Sequence, residues 1–294
     1  MQPHRTSATA SLIALSTVFL SRQPRDRDLV PAGAAAQTEG LLTRTSPRTL
    51  RLIQLLSRPG ARGAVHALER LVLPGIQRHY AARKRYIEDA ARAFLSDGGR
   101  QLLVLGAGLD TLTLRIAREL PEVRCVEVDH PATSAVKRDA IGAALPDNLT
   151  LVPLELGREA WEDGHGLDAS LPTFVVLEGV TMYLTEPAVL DILQGCARLA
   201  PGSQLVWTFM HPDGRGRLRF HQAGSAVTAW LARQREPFTW GLPLDAVPAF
   251  LRPTGLELEE IVTTSQLRTR YLDPRGIDGA LAEGEALCLV RTTG

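Results

Sequence analysis

The chain has 294 residues, of which 45% are hydrophobic, which is enough for one large α/β domain with an added cap or for two small domains. Its formal net charge of +1 argues against nucleic acid or an anionic membrane as a partner. Cys125, Cys196 and Cys288 lie far apart in apolar contexts and form neither a metal-binding spacing nor a disulfide framework, so we expect a reduced cytoplasmic protein without a metal site.

The first 95 residues are predicted to form a helical cap. Apolar side chains recur at three-residue steps within residues 50–56 and 65–71, and a Pro-Gly pair follows each stretch. Residues 11–20 are also apolar and precede a run of small residues, so a secretion signal is the alternative for that segment. The segment is short, is interrupted by hydroxyl residues and is followed at once by arginines, which favours an amphipathic cap helix.

A repeating pattern of strands and helices begins at residue 101. The predicted strands cover residues 101–105, 123–128, 149–154, 174–178 and 204–209. The predicted helices between them cover residues 112–120, 132–145 and 186–199. This alternation indicates a doubly wound parallel sheet with right-handed crossovers.

The C-terminal part begins with an insertion at residues 211–242, which a short helix near residues 244–251 follows. Two more strands are predicted at residues 256–262 and 286–291, without an obvious helix between them. We therefore expect these two strands to pair antiparallel at the sheet edge, because only a parallel pair needs a long crossover.

The first predicted strand runs into a turn that contains Gly106 and Gly108, and the next strand ends about twenty residues later in Glu127 and Asp129. This is the layout of a nucleotide site, in which glycines let the backbone approach the ligand and a carboxylate binds ribose hydroxyls. We assign Asp129 to the ribose. Glu127 stands two positions earlier, on the same face of the alternating strand, and is a candidate to share that role. A surface salt bridge is the alternative for either side chain.

The residues after the second glycine discriminate among nucleotides. A dinucleotide site requires a small residue three positions after Gly108, where this chain has Thr111. Asp110 places a negative charge at the start of the next helix, where phosphates would bind. A cationic ligand without phosphate, such as S-adenosylmethionine, therefore suits this turn, and we count Asp110 among the cofactor-binding residues.

Four pieces of sequence carry a resemblance to a known family. They are residues 105–111 (LGAGLDT), residues 127–131 (EVDHP), Lys137, and residues 177–184 (LEGVTMYL). Together they resemble the leucine carboxyl methyltransferase family, which includes bacterial O-methyltransferases of small molecules. The resemblance covers roughly residues 80–294. It implies a Rossmann-like sheet of seven strands with the last one antiparallel, in an S-adenosylmethionine-binding domain at residues 96–294 behind a cap at residues 1–95.

The resemblance also implies roles for residues at other strand ends. Glu155 and Leu156 stand where the family places an acid and an apolar residue against adenine, although the family's acid is the shorter aspartate. Glu178 is expected to accept a hydrogen bond from the ammonium group of the methionyl part. Arg83 is expected to hold the methionyl carboxylate or an acidic group of the substrate; Arg85 competes for this role, and an exposed helix arginine is the alternative for either.

The methyl acceptor is either a carboxylate or a hydroxyl. A carboxylate arrives ionised and needs positioning, whereas a phenol with a pKa of about 10 needs a base or electrostatic stabilisation. By resemblance, Tyr183 contacts an acceptor carboxylate together with Arg83, and core packing is the alternative for this tyrosine. His211 follows the strand at residues 204–209 and is a candidate base for a hydroxyl, with a turn histidine as the alternative.

The acceptor pocket is expected between the cap and the insertion at residues 211–242, where aromatic residues are frequent. They are Trp207, Phe220, Trp230, Phe238 and Trp240. These side chains suit a flat apolar acceptor, such as an aromatic polyketide or a fatty acyl chain, and equally suit a cap packed on the sheet.

The favoured function is S-adenosylmethionine-dependent O-methylation of a small molecule, such as a polyketide or another secondary metabolite, at a hydroxyl or a carboxyl. The alternatives are carboxyl methylation of a protein C-terminus or peptide, a nicotinamide-dependent oxidoreductase, and a non-catalytic relative that serves as a partner subunit. We expect a small-molecule acceptor as the partner, expect neither nucleic acid nor a membrane, and leave a homodimer open.

Overall fold

The N-terminal part of the chain is helical, as its periodicity predicts. The computed structural model describes residues 8–159, 166–224, 227, 233 and 237–293. The helices before the sheet are α1 (Ala8–Ser21), α2 (Ala34–Thr45), α3 (Pro47–Leu56), α4 (Pro59–Val72) and α5 (Ile76–Ser96). Val18, Phe19 and Leu20 of α1 are buried, which agrees with a cap helix in this segment.

The sheet has the seven strands that the sequence predicts. They are β1 (Gln101–Leu105), β2 (Arg124–Asp129), β3 (Leu149–Pro153), β4 (Thr173–Leu177), β5 (Gln204–Met210), β6 (Leu256–Val262) and β7 (Glu285–Thr292). Their order is β3-β2-β1-β4-β5-β7-β6. Strands β1 to β5 are parallel, and β7 lies antiparallel between β5 and β6. The Rossmann-like fold with an antiparallel last strand is therefore confirmed.

Helices connect the strands close to the predicted positions. They are α6 (Leu112–Glu119), α7 (Pro131–Ile141), α8 (Glu186–Ala197), α9 (Val247–Leu251) and α10 (Thr264–Leu267). The connection between β6 and β7 is more helical than predicted, because α10 and two further helical turns cover residues 264–275. None of the helices in the described ranges combines the length and the apolarity that crossing a bilayer requires.

Alternate side chains of β1 point into two different cores. Leu102 joins a cluster that continues into the cap through Leu20 and Ile87. Leu103 joins a second cluster on the opposite face, which includes Trp207. Because successive side chains of a strand face opposite sides, a central strand covered on both faces is apolar throughout. The cap thus shares one hydrophobic core with the sheet.

The strand order reverses direction between β1 and β4. The chain proceeds outward from β1 through β2 to β3, and then returns to the other side of β1 with β4 and β5. In open α/β sheets, ligands bind beyond the carboxyl ends of the strands at such a reversal. The topology therefore places the candidate site above β1 and β4.

Candidate active site

A cavity of about 860 Å³ opens at the carboxyl ends of the strands. This volume lies in the upper part of the range, roughly 300–1,000 Å³, that small-molecule sites occupy. The predicted site residues that line it are Arg83, Gly106, Gly108, Asp110, Asp129, Glu155, Leu156, Glu178 and Tyr183. The fold therefore brings together residues that the sequence separates by up to one hundred positions.

The turn after β1 needs its glycines. Gly106 and Gly108 have φ angles of 74° and 54°, in the left-handed region that other residues rarely adopt. A Cβ atom built on Gly106 would lie 2.3 Å from Cγ2 of Val180. The bare backbone of this turn forms one wall of the cavity, as a closely approaching ligand requires.

Asp129 at the end of β2 is prepared to accept further hydrogen bonds. Its carboxylate accepts from the backbone N–H of Gly108 and, at 2.6 Å, from that of His130. Burial raises the pKa of Asp129, and these two backbone hydrogen bonds oppose that rise. Each carboxylate oxygen has a second lone pair, so the group retains acceptor capacity on the cavity side. Its position agrees with the ribose assignment.

Glu127 has a different environment, which contradicts a shared role with Asp129. Its side chain is buried, accepts from Thr113, and lies 2.6 Å from Nζ of Lys137. Lys137 also donates to the backbone carbonyl of Asp110 at 2.6 Å. Glu127 and Lys137 thus support the glycine turn on the side away from the cavity. They are not among the described residues that line it.

Asp110 occupies the start of α6. Its Oδ1 accepts from the backbone N–H of Leu112 at 2.6 Å, and its Oδ2 pairs with Nζ of Lys84. Although burial alone would raise the pKa of Asp110, Lys84 and the Leu112 hydrogen bond hold it well below its usual range. A permanent negative charge therefore sits where a dinucleotide would place its phosphates.

A buried cluster of charges forms one side of the cavity. Nε of Arg83 donates to Glu178 at 2.8 Å, and its Nη1 donates to Glu285 at 2.6 and 2.8 Å. Lys84 pairs with Glu178 at 3.1 Å, and Nε2 of His79 lies 2.8 Å from Glu285. Glu178 thus contacts Arg83 and Lys84, the two cations that α5 contributes to this cluster.

The choice between the two arginines of α5 is resolved by the helix face. Arg83 is 2% exposed and lines the cavity, whereas Arg85 pairs with Asp89 at 3.3 Å. Sequence reasoning missed Glu285 and its partner His79. The signal that could have identified Glu285 was an acidic residue at the start of an otherwise apolar strand, in the segment EALCLV.

His211 is not among the described residues that line the cavity. Its backbone N–H donates to the carbonyl of Gly284 at 2.9 Å, and its ring lies edge-on to His221 with the ring centroids 4.8 Å apart. Burial lowers the pKa of His211, and His221 lowers it further. The structure places His211 in a histidine pair at the exit of β5, outside the described lining of the cavity, which disfavours the base expected at this position.

The aromatic residues divide between the cavity and the core. Phe220 and Phe238 line the cavity, and the ring of Tyr183 lies 5.8 Å from that of Phe238. Trp207 and Trp240 pack together in the core on the α8 side of the sheet, with ring centroids 6.0 Å apart. They are therefore not acceptor-pocket residues. Trp230 lies outside the described residues.

Acidic side chains outnumber basic ones around the cavity in the described part of the chain. The lining carboxylates are Glu69, Glu88, Asp110, Asp129, Glu155, Glu178 and Glu285. The lining lysine and arginine residues are Arg83, Lys84 and Arg115. Seven acids against three permanent cations favour a ligand of net positive charge and disfavour a diphosphate.

The fold and the cavity define a Rossmann-like protein with a cofactor-type site, and the sequence comparisons identify its family. A sequence profile described as leucine carboxyl methyltransferase matches residues 39–197, more than half of the chain. The chain belongs to the leucine carboxyl methyltransferase family.

Relatives in other organisms agree with this assignment. A protein of Mycolicibacterium paratuberculosis is 33% identical over 158 residues, and YktD of Bacillus subtilis is 31% identical over 135 residues. Both are named, by inference, as S-adenosyl-L-methionine-dependent methyltransferases. The matches cover 51% and 44% of this chain and the same shares of the two relatives, so the chain spans about half the length of these proteins.

A solved structure supports the fold. The DUF574 family protein of Streptomyces avermitilis superimposes with a TM-score of 0.57 at 20% sequence identity, over 80% of this chain and 91% of that one. At this identity the likeness concerns the fold alone.

Proposed function

We propose that this protein is an S-adenosylmethionine-dependent methyltransferase that methylates an oxygen atom of a small molecule. The observation that carries the proposal is the cavity at the strand reversal, in which a glycine turn and an excess of carboxylates face the same space. The names of the relatives support the methyltransferase activity.

The residues of the cavity fit this cofactor. Asp129 is suited to the two ribose hydroxyls, and Glu155 with Leu156 to the adenine. Glu178 is suited to an ammonium group, and Arg83 to a carboxylate, so this ion pair matches the two ends of an amino acid. When bound, the cofactor supplies a methyl group on a positively charged sulfur.

The remainder of the cavity suits an apolar acceptor. Tyr80, Met182, Phe220 and Phe238 line it, and Tyr183 lines it as well, with its ring 5.8 Å from that of Phe238. Apolar walls exclude water and hold an acceptor in a fixed orientation, which is the main requirement for a displacement at carbon. This lining supports a small-molecule acceptor.

Binding and turnover test the proposal separately. We expect calorimetry to detect adenosylhomocysteine binding and no binding of NAD, because Asp110 occupies the phosphate position at the start of α6. Transfer of labelled methyl from S-adenosylmethionine to a panel of aromatic hydroxyl and carboxyl compounds then identifies the acceptor. Binding of NAD without binding of adenosylhomocysteine would overturn the proposal in favour of an oxidoreductase.

A further inference from the structure

Helix α4 turns one face towards the cavity, and this face carries a carboxylate among apolar side chains. Val65, Leu68, Glu69 and Val72 all line the cavity. Residues at such spacings lie on the same side of a helix. Three of these four side chains are apolar, so Glu69 is the polar group that α4 adds to the wall of the cavity.

The carboxylate of Glu69 is held by the start of α5 and keeps acceptor capacity. Its Oε1 accepts from the backbone N–H of Gln77 at 3.2 Å, and its Oε2 accepts from Nε2 of Gln77 at the same distance. Each oxygen thus uses one of its two lone pairs. Of the side-chain surface of Glu69, 12% remains accessible, so a ligand in the cavity can donate a hydrogen bond to this group.

Most of the other lining acids are in ion-pair contact with a lysine or an arginine. These acids are Glu88, Asp110, Glu155, Glu178 and Glu285. Asp129 is held instead by backbone N–H groups at the position assigned to the ribose. In the described ranges, Glu69 has no such cation. Nδ1 of His66 lies 3.6 Å from its Oε2, which is too long for a hydrogen bond.

Burial makes the charge of Glu69 costly, and a donor from a ligand would offset that cost. Burial raises the pKa of Glu69, while the Gln77 hydrogen bond and His66 oppose the rise. A partly buried carboxylate gains from each further hydrogen bond to its charged form. An apolar ligand group at this place would instead remove the carboxylate from water without compensation.

Gln77 adds a second acceptor beside Glu69. Because its Nε2 donates to Glu69, the carboxamide oxygen is directed elsewhere, and this buried Oε1 has no hydrogen-bond partner in the part of the chain that the structure describes. Glu69 and Gln77 both line the cavity. The unpaired carbonyl dipole adds to the negative potential of the carboxylate, and both favour a hydrogen-bond donor or a cation nearby.

Glu69 lies apart from the residues suited to the cofactor. Its partner Gln77 and the cofactor-type residue Arg83 both belong to α5, and their separation along the sequence corresponds to roughly 9 Å along the helix axis. Tyr80, between them in the sequence, lines the apolar part of the cavity. A ligand that reaches both ends therefore has the length of a two-ring aromatic body with a polar group at each end.

We propose that Glu69, held by Gln77, forms a distal subsite of the acceptor pocket, which binds a hydroxyl or ammonium group at the end of the acceptor opposite to the oxygen that is methylated. This inference rests on the proposed methyltransferase function. It leaves both a carboxylate and a hydroxyl open as the methylated group. Glu69 contacts the acceptor away from the reacting atoms, so it determines specificity and takes no part in the transfer.

A matched set of ligands tests the subsite. The compounds 6-hydroxy-2-naphthoate and 6-methyl-2-naphthoate have nearly the same shape, but only the first has a donor at the 6-position. An apolar pocket alone favours the methyl compound, because burying a hydroxyl without a partner is costly. We expect the wild-type protein, saturated with adenosylhomocysteine, to bind the hydroxy compound at least about fivefold more tightly in calorimetry.

The compound 6-aminomethyl-2-naphthoate distinguishes the two kinds of donor. Its ammonium group is charged at pH 7. Tighter binding of this compound than of the hydroxy compound assigns an ammonium to the subsite, and the reverse order assigns a hydroxyl. Both orders support the subsite, provided that the methyl compound binds least tightly.

Variants separate recognition from a structural link between α4 and α5. Glu69→Gln removes the charge at nearly constant shape, and we expect it to reduce the preference for hydroxy over methyl to about twofold or less. Glu69→Asp keeps the charge and should retain a preference for the donor compounds. Glu257→Gln, on the exposed edge of β6 where Glu257 pairs with Arg291, is the control and should behave like the wild type. A purely structural Glu69 would change all affinities alike and leave their ratio unchanged.

Failure of the inference is distinguishable from failure of the proposed function. A wild-type protein that binds adenosylhomocysteine but prefers the methyl compound, or binds none of the three naphthoates, overturns the inference alone. A Glu69→Gln protein that keeps the full preference also overturns it. Absence of adenosylhomocysteine binding in the wild type overturns the proposed function and the inference with it.

Discussion

Asp129 and Glu127 lie two positions apart on the same strand, yet they have different surroundings. Asp129 is held by backbone N–H groups at the end of β2 and faces the cavity. Glu127 is one pleat further down and is neutralised by Lys137. The alternation of a strand puts both side chains on one face, but only the last of them reaches beyond the sheet. Depth along the strand therefore separates an acid that faces the cavity from one that supports the glycine turn.

Replacing Asp129 tests the ribose assignment. We expect Asp129→Asn to weaken adenosylhomocysteine binding by about tenfold to a hundredfold, because charge-assisted hydrogen bonds are worth roughly 1.5–3 kcal/mol. Calorimetry measures the effect, with Asp139→Asn on the exposed side of α7 as the control. Unchanged affinity in the Asp129 variant would show that the ribose binds elsewhere.

Glu285 also makes the stability of the protein depend on pH. Burial by itself would raise its pKa from 4.5, but Arg83 and the His79 hydrogen bond lower it to about 2. Because the folded-state pKa is lower than the unfolded one, the stabilisation is complete above about pH 4.5 and is lost as the pH falls towards 2. This contribution of Glu285 to the free energy of unfolding is on the order of 3 kcal/mol.

Urea unfolding of the wild type and of Glu285→Gln between pH 6 and pH 3 measures this contribution. We expect the wild type to be the more stable protein at pH 6 and the difference in unfolding free energy to narrow below pH 4.5. A difference that stays constant across this range would contradict the lowered pKa of Glu285.

The glycine turn and the first turn of α6 work as one element. Gly106 brings the backbone against Val180, and Asp110 satisfies the N–H of Leu112 and fixes the charge at the helix start. Helix starts expose N–H groups that attract anions, so an internal carboxylate closes this position to an external phosphate. The same fold position that binds diphosphates in dinucleotide enzymes is thus filled by a side chain here.

Two glycine variants test the conformation of the turn. We expect Gly106→Ala to destabilise the protein by at least about 1–3 kcal/mol and to weaken adenosylhomocysteine binding, because the methyl group meets Val180 and the φ angle is positive. Gly63→Ala in α4 is the matched control: no atom lies within 4 Å of its added Cβ. We expect it to gain about 0.5–1 kcal/mol in thermal unfolding. A Gly106→Ala protein as stable as Gly63→Ala would contradict this account.

Buried contacts join the cap and the sheet, so we expect the two to unfold as one unit. A single hydrophobic cluster contains side chains from both, and Glu88 of α5 forms its two-pronged pair with Arg115 of α6. Breaking a buried pair leaves a charge without a partner, which is costly, whereas exposed pairs contribute little. The walls of the cavity therefore depend on the docking of the cap.

Glu88→Gln tests this dependence. We expect a loss of about 3 kcal/mol in unfolding free energy and a single urea transition that is the same by far-UV circular dichroism and by tryptophan fluorescence. Glu119→Gln removes an exposed partner of Arg92 and should change the stability by less than about 0.5 kcal/mol. Separate transitions for the two probes would show that the cap unfolds independently.

Local patterns in the chain were sufficient to predict the strands, the glycine turn and the acids at the strand ends. Strand periodicity and glycine conformation depend on neighbouring residues, so the sequence predicts them without knowledge of the tertiary structure. The resemblance added Arg83, Glu178 and Tyr183, which the structure places on the cavity. The same local patterns were insufficient for Glu127, since alternation indicates the face of a strand and not the depth of a residue along it.

Contacts between distant segments depend on the packing of the chain. His79 and Glu285 are 206 positions apart, and they meet because β7 enters antiparallel between β5 and β6 beside α5. His211 lies outside the described lining of the cavity, and its backbone N–H donates to Gly284, which directly precedes β7. The buried charge cluster around Arg83 arises from such long-range pairs, since a pattern of neighbouring residues carries no information about which ions share a buried volume.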